Sequence, residues 1–143
     1  MVDNNELFSN AEQRPKGYSF ADFEPGRVFE HHWSRTLNDG DNSLFTALTL
    51  HFNPLYFNVE YSTAHGHPNV VINPMLVFNT VFGLCVEDHT EGSQRGAMLG
   101  FGEMSFHQPG YSSDTLTARS TIVTRRESSS NLANGIVTWY CGV

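Results

Sequence analysis

The chain has 143 residues, a formal net charge of −7 and 11 phenylalanines. That length suits one domain around one hydrophobic core, and the acidic balance repels a bare polyanion, which argues against nucleic acid as a partner. The two cysteines, Cys85 and Cys141, lie far apart, a usage that argues against a disulfide framework or a zinc site and suits free thiols in the cytoplasm. The polar N-terminus offers no apolar signal segment, and no apolar run is long and unbroken enough to cross a bilayer. The expectation is therefore a single cytoplasmic domain over residues 1–143, away from membranes.

Residues 1–26 read as a polar arm, punctuated by Pro15-Lys16-Gly17 and Pro25-Gly26, with Phe20 and Phe23 as anchors. Residues 28–37 alternate loosely between turn signals and predict a first strand. His31 and His32 are neighbours on it, and neighbours on a strand point to opposite faces, so they read as ordinary strand or surface histidines and not as ligands of one ion.

The densest polar constellation follows, in residues 38–64. A helical pattern carrying Leu44, Phe45 and Leu48 on one face leads to His51-Phe52-Asn53-Pro54-Leu55-Tyr56. Pro54 is expected to end that helix, because proline disfavours helical geometry at the residue before it. Asp41 and Asn42 read as helix-start residues. A short helix over residues 59–64 then restarts the chain, with Asn58 as N-cap. A helix, an Asn-Pro corner and a second helix aim His51, Asn53, Tyr56 and Asn58 at a common pocket. The loop His65-Gly66-His67-Pro68 is expected to border the mouth of that pocket.

Val70-Val71-Ile72 predicts a short buried extended segment, and Asn73-Pro74 a helix N-cap and first helical residue. The helix over residues 74–88 is apolar on nearly every side, which places it in the middle of a core. Alternation then predicts three strands in succession, over residues 98–106, 115–122 and 135–141. Strands segregated from one central helix specify an α+β domain with an antiparallel sheet.

Asn53-Pro54-Leu55 resembles the signature of the MaoC-like, or enoyl-CoA hydratase 2, branch of the hot-dog superfamily, which reads Asp-x-Asn-Pro-(Leu/Ile)-His-x-Asp. The resemblance extends over most of the chain, through Arg35-Thr36-Leu37, Asp41-Asn42, Asn73-Pro74-Met75-Leu76 and Asp114-Thr115-Leu116, and is nearest the mesaconyl-CoA hydratase group. It implies a hot-dog fold, an antiparallel sheet wrapped around a long central helix. It also implies a lyase without a cofactor or metal that adds water to, or removes it from, an acyl thioester carried on CoA or an acyl carrier protein, in primary metabolism or natural-product assembly. The family's catalytic pair is its first Asp and its His. Here His51 stands at the position of that Asp and Tyr56 at that of the His.

Water addition to an enoyl thioester needs a base, an acid and a donor for the developing enolate oxygen. An imidazole exchanges protons near neutral pH, which suits His51 as base. A phenol can donate a hydrogen bond to an oxyanion, which suits Tyr56. Asn53 and Asn58 would orient substrate or water. In the family a backbone N–H at the start of the central helix helps hold the thioester oxygen. Pro74 has none, so Met75 N–H, expected to be unpaired in the first helical turn, would take over beside Asn73. Arg125 and Arg126 are the most concentrated basic pair for ligand phosphates, with at most one facing a given phosphate. The resemblance equally allows a non-catalytic hot-dog subunit that shapes the tunnel of an active partner. Either way a homodimer or higher oligomer, or a heterodimer with another hot-dog chain, is expected.

Overall fold

A computed structural model describes residues 17–89 and 96–143; most of the predicted N-terminal arm lies outside them. In chain order the elements are a 3-10 turn (Phe20–Asp22), β1 (Val28–Thr36), α1 (Asp39–Thr49), a 3-10 turn (Pro54–Tyr56), α2 (Val59–Ala64), α3 (Pro74–His89), β2 (Thr115–Glu127) and β3 (Gly135–Gly142). The three strands form one antiparallel sheet in the order β1-β2-β3. Val28 lies opposite Thr121 and Thr36 opposite Thr115, while Ser120 lies opposite Cys141. The α+β class and the antiparallel sheet against a long helix are as the sequence predicts.

α3 packs one face on the sheet. Val81 and Cys85 from the helix meet Leu37, Ile72, Leu116 and Ala118, with Leu76, Val77, Leu84 and Cys141 around them. A fully buried leucine or isoleucine such as Leu37 or Ile72 contributes about 1.5–3 kcal/mol. A second cluster of Phe23, Phe29 and Ile122, with Tyr18, Val137 and Trp139 against it, closes the other end of the sheet. Phe23 is thus the buried anchor of the N-terminal segment, whereas Phe20 stays exposed. The expectation of a helix sheathed all round is corrected: Met75 and Val86 are partly exposed, because among the described residues the sheet's three strands pack on one face of the helix.

Two further expectations fail locally. α1 is not ended by Pro54. It stops four residues earlier, where Leu50 turns into the left-handed region (φ 56°) and donates its N–H to the Thr46 carbonyl. The apolar face predicted for this helix is also outward: Leu44 and Leu48 are exposed, while Asn42 and Thr46 are buried. Residues 98–106 form no strand. They alternate correctly, but alternation supplies no backbone partner, and Phe101 instead lays its ring edge-on to Phe78 and Phe82, with centroids 4.8 and 5.7 Å apart.

Candidate active site

Capping chemistry places the site. Asn38 caps α1 by accepting from Asp41 N–H (3.0 Å), and Asp41 returns the favour to Asn38 N–H (3.2 Å), a reciprocal box that fixes where the helix begins. One position inside it, Asn42 is fully buried. Its Nδ2 donates to the carbonyls of Tyr56 (2.8 Å) and Val71 (3.0 Å), and its Oδ1 accepts from Asn73 N–H (2.8 Å). One amide thereby ties together α1, the Asn-Pro corner and the start of α3. The sequence reading of Asn42 as a helix-start residue missed this hub. Its signal is an amide one turn inside a helix with no local backbone group to bond.

Asn73, also fully buried, continues the chain of contacts. Its Oδ1 accepts from Met75 N–H (2.9 Å), the expected cap, and its Nδ2 lies 3.1 Å from Nδ1 of His51. Because Oδ1 is occupied by the cap, the amide faces His51 with its N–H, and Nδ1 of His51 must accept. The His51 ring stands edge-on to Tyr56, with centroids 5.3 Å apart and planes at 75°. His51 and Tyr56 are therefore brought together. The same cap corrects the expectation for Met75: its N–H is taken by Asn73 and is not a free oxyanion donor.

Tyr56 is buried and lines a cleft of about 610 Å³ with Leu55, His67, Val71, Pro74 and Asp114. Burial pushes its phenol above the ordinary tyrosine value, with the Asn53 side chain opposing that shift, so the phenol holds its proton and is a donor. His67, from the loop expected at the mouth, does border the cleft, with Nδ1 3.0 Å from the Tyr111 hydroxyl. In the sequence Asp114 stands out only through the family resemblance. It lines the cleft too, its carboxylate accepting from Tyr111 N–H (2.8 Å). His51 stands exposed beside Tyr56 and outside this lining.

The other predicted site residues have local duties. Asn53 Oδ1 accepts from Leu55 N–H (3.1 Å) and Asn58 Oδ1 from Tyr61 N–H (3.0 Å), each capping the turn or helix that follows. Arg125 spends its guanidinium on the carbonyl of Ala21 (2.6 Å) and on the face of Phe20. Arg126 bonds the neighbouring Glu127 carbonyl (3.2 Å). Both sit some nine residues along β2 from Leu116, which lines the cleft, or roughly 30 Å at about 3.3 Å per residue. The structure does not bring them to this cleft.

The family model described as mesaconyl-CoA hydratase matches residues 3–142. The mesaconyl-CoA hydratase of Haloarcula hispanica is 31% identical over 135 residues, covering 94% of this chain and 37% of that protein. Among solved structures, a MaoC domain protein dehydratase from Chloroflexus aurantiacus superposes with a TM-score of 0.73 at 25% identity, over 92% of this chain and 36% of that one. A MaoC-like dehydratase from Rhodospirillum rubrum superposes with a TM-score of 0.70 at 17% identity, over 85% and 81% of the two chains. These superpositions bear out the hot-dog fold. The chain spans a little over a third of the length of the curated relatives it matches.

Proposed function

The chain belongs to the mesaconyl-CoA hydratase family, and from that premise we propose that it is a hydro-lyase unit that adds water to, or removes it from, an acyl thioester on CoA or a carrier protein. The observation that carries the proposal is the edge-on pairing of His51 with Tyr56, 5.3 Å between centroids, with Tyr56 on the cleft. In the hydration direction, Nδ1 of His51, the nitrogen that bears no proton in the tautomer Asn73 selects, takes a proton from water as the oxygen bonds to the β-carbon. The double-bond electrons move onto the thioester oxygen, where the Tyr56 O–H donates to the enolate. The imidazolium then returns its proton to the α-carbon, so water is added in net and the ring is restored. Asn73 positions the ring and releases Nδ1 as substrate arrives.

One observation favours a second reading. Nδ1 of His51 is already hydrogen-bonded by Asn73, and neither pair position carries a carboxylate, as expected of a hot-dog subunit that supports an active partner chain without turning over substrate itself. Incubation with a panel of enoyl and 3-hydroxyacyl thioesters, followed by mass analysis, separates the two. Gain or loss of one water on any member supports the lyase. No change on every member overturns it in favour of the supporting subunit.

A further inference from the structure

A second cluster lies where the end of α3 meets the sheet. Cys85 and His89 are four residues apart on α3 and share one helix face. A bulge in β1 between Glu30 and Ser34 accompanies the burial of His31 against them. One ligand atom from each of His31, Cys85 and His89 lies within 4.8 Å of the other two, and all three residues are buried. Ser120 Oγ stands between the rings, 2.9 Å from Nε2 of His31 and 2.7 Å from Nε2 of His89, and Nδ1 of His31 lies 2.5 Å from an Asp88 carboxylate oxygen. Cys141 Sγ is 2.8 Å from Cys85 Sγ.

The hydrogen bonds leave a remainder. Ser120 has one proton and satisfies one nitrogen on each ring, yet Nδ1 of His89 has no hydrogen-bond partner among the described residues although the residue is 94% buried. An unbonded buried nitrogen costs about 1–3 kcal/mol, which a metal–nitrogen bond would remove. Two imidazoles and a thiolate are the donors a d¹⁰ ion of the zinc type prefers, and a tetrahedral site takes a second sulfur readily. The carboxylate behind His31 is the usual outer partner that orients a ligating imidazole.

We propose that His31, Cys85 and His89 bind a zinc-type ion, with Cys141 as the adjacent fourth donor, clamping the end of α3 to β1 and β3. Binding replaces the S–H protons of Cys85 and Cys141, which leave to solvent, with metal–sulfur bonds. The role is structural and independent of the lyase reading.

The test uses the full chain, stripped of metal, kept reduced by a phosphine and titrated with Co(II). One equivalent should bind with a thiolate-to-cobalt charge-transfer band and the strong visible bands of four-coordination, both bleached by one equivalent of Zn(II). Cys85→Ser should cut the charge-transfer band to the contribution of Cys141 alone, His89→Gln should weaken uptake at least ~10-fold, and Asp88→Asn should weaken it about 10–100-fold. His65→Ala, outside the cluster, should leave it unchanged. Absence of stoichiometric uptake, or a cobalt spectrum without the sulfur band, overturns the site. If the core variants do not fold, the partly exposed Asp88 decides: unaltered affinity in Asp88→Asn overturns it as well.

Discussion

Nδ2 of Asn73 donates to Nδ1 of His51 across 3.1 Å, so an amide fixed as a helix cap selects the imidazole tautomer at the candidate site. The cap prevents the amide from flipping, since Oδ1 is held by Met75 N–H at 2.9 Å. Neutral His51 therefore carries its proton on Nε2. In Asn73→Asp the carboxylate keeps the cap but can only accept, which should transfer the proton to Nδ1. Nitrogen-15 NMR of the His51 ring should show the Nε2–H tautomer in the parent and Nδ1–H in the variant. The same tautomer in both would mean that Asn73 does not set it.

If His51 is the base, His51→Ala should reduce turnover of a thioester substrate by on the order of 10²-fold or more. Tyr56→Phe preserves the ring against which His51 stands and removes only the hydroxyl. A steep loss assigns Tyr56 as the oxyanion donor, whereas full activity leaves it as packing. Wild-type turnover in both variants would refute the pair.

Asn42 should matter through stability. Asn42→Ala strips partners from the Tyr56 and Val71 carbonyls and from Asn73 N–H, all held by its buried amide. Unsatisfied buried groups cost about 1–3 kcal/mol each. Relaxation will recover part of that, so a loss of about 3 kcal/mol in urea unfolding is expected. Asn58→Ala, which removes one exposed helix cap, should cost about 1 kcal/mol.

What could be read from the sequence was local. Asn53-Pro54, Asn58 and Asn73-Pro74 announce turns and caps because their side chains bond backbone two or three residues away, and the structure keeps each. The segment over residues 98–106 misled because alternation records which side chains are apolar, not whether another strand is present to pair with. Asn42, His31 and His89 were misread or passed over for a related reason. Their partners lie 14 to 89 residues distant, and no local pattern encodes such a meeting. Cys85 and Cys141, distant in sequence, are brought into contact by α3 crossing β3.

Acid should weaken the fold through His89. Burial, reinforced by the charge of His31 and opposed by Asp88, lowers its pKa from 6.5 to about 4. A depressed histidine binds fewer protons folded than unfolded between those values. Its contribution is therefore complete above pH 6.5 and is lost as pH falls toward 4, by up to about 3 kcal/mol. Urea unfolding of metal-free protein across that window should show the decline, and His89→Gln should flatten it. An equally steep decline in the variant would assign the acid sensitivity elsewhere.

The outward apolar surface calls for a partner. Leu44, Leu48, Leu50, Phe52 and Phe57 are exposed around the Asn-Pro corner, and Met98, Leu99 and Phe101 are exposed along the extended segment that lies on α3. Exposed apolar side chains in such number are what an interface between chains covers, and among the described residues β3 is an edge strand that a second sheet could extend. A twofold pairing would also cover the side of α3 that three strands leave open. Light scattering at micromolar concentration should return at least twice the mass of one chain. Leu48→Lys, which puts a charge on the exposed face of α1 without touching the core, tests whether that face takes part, and a shift toward monomer would place it in the interface. A monomeric parent would refute the pairing.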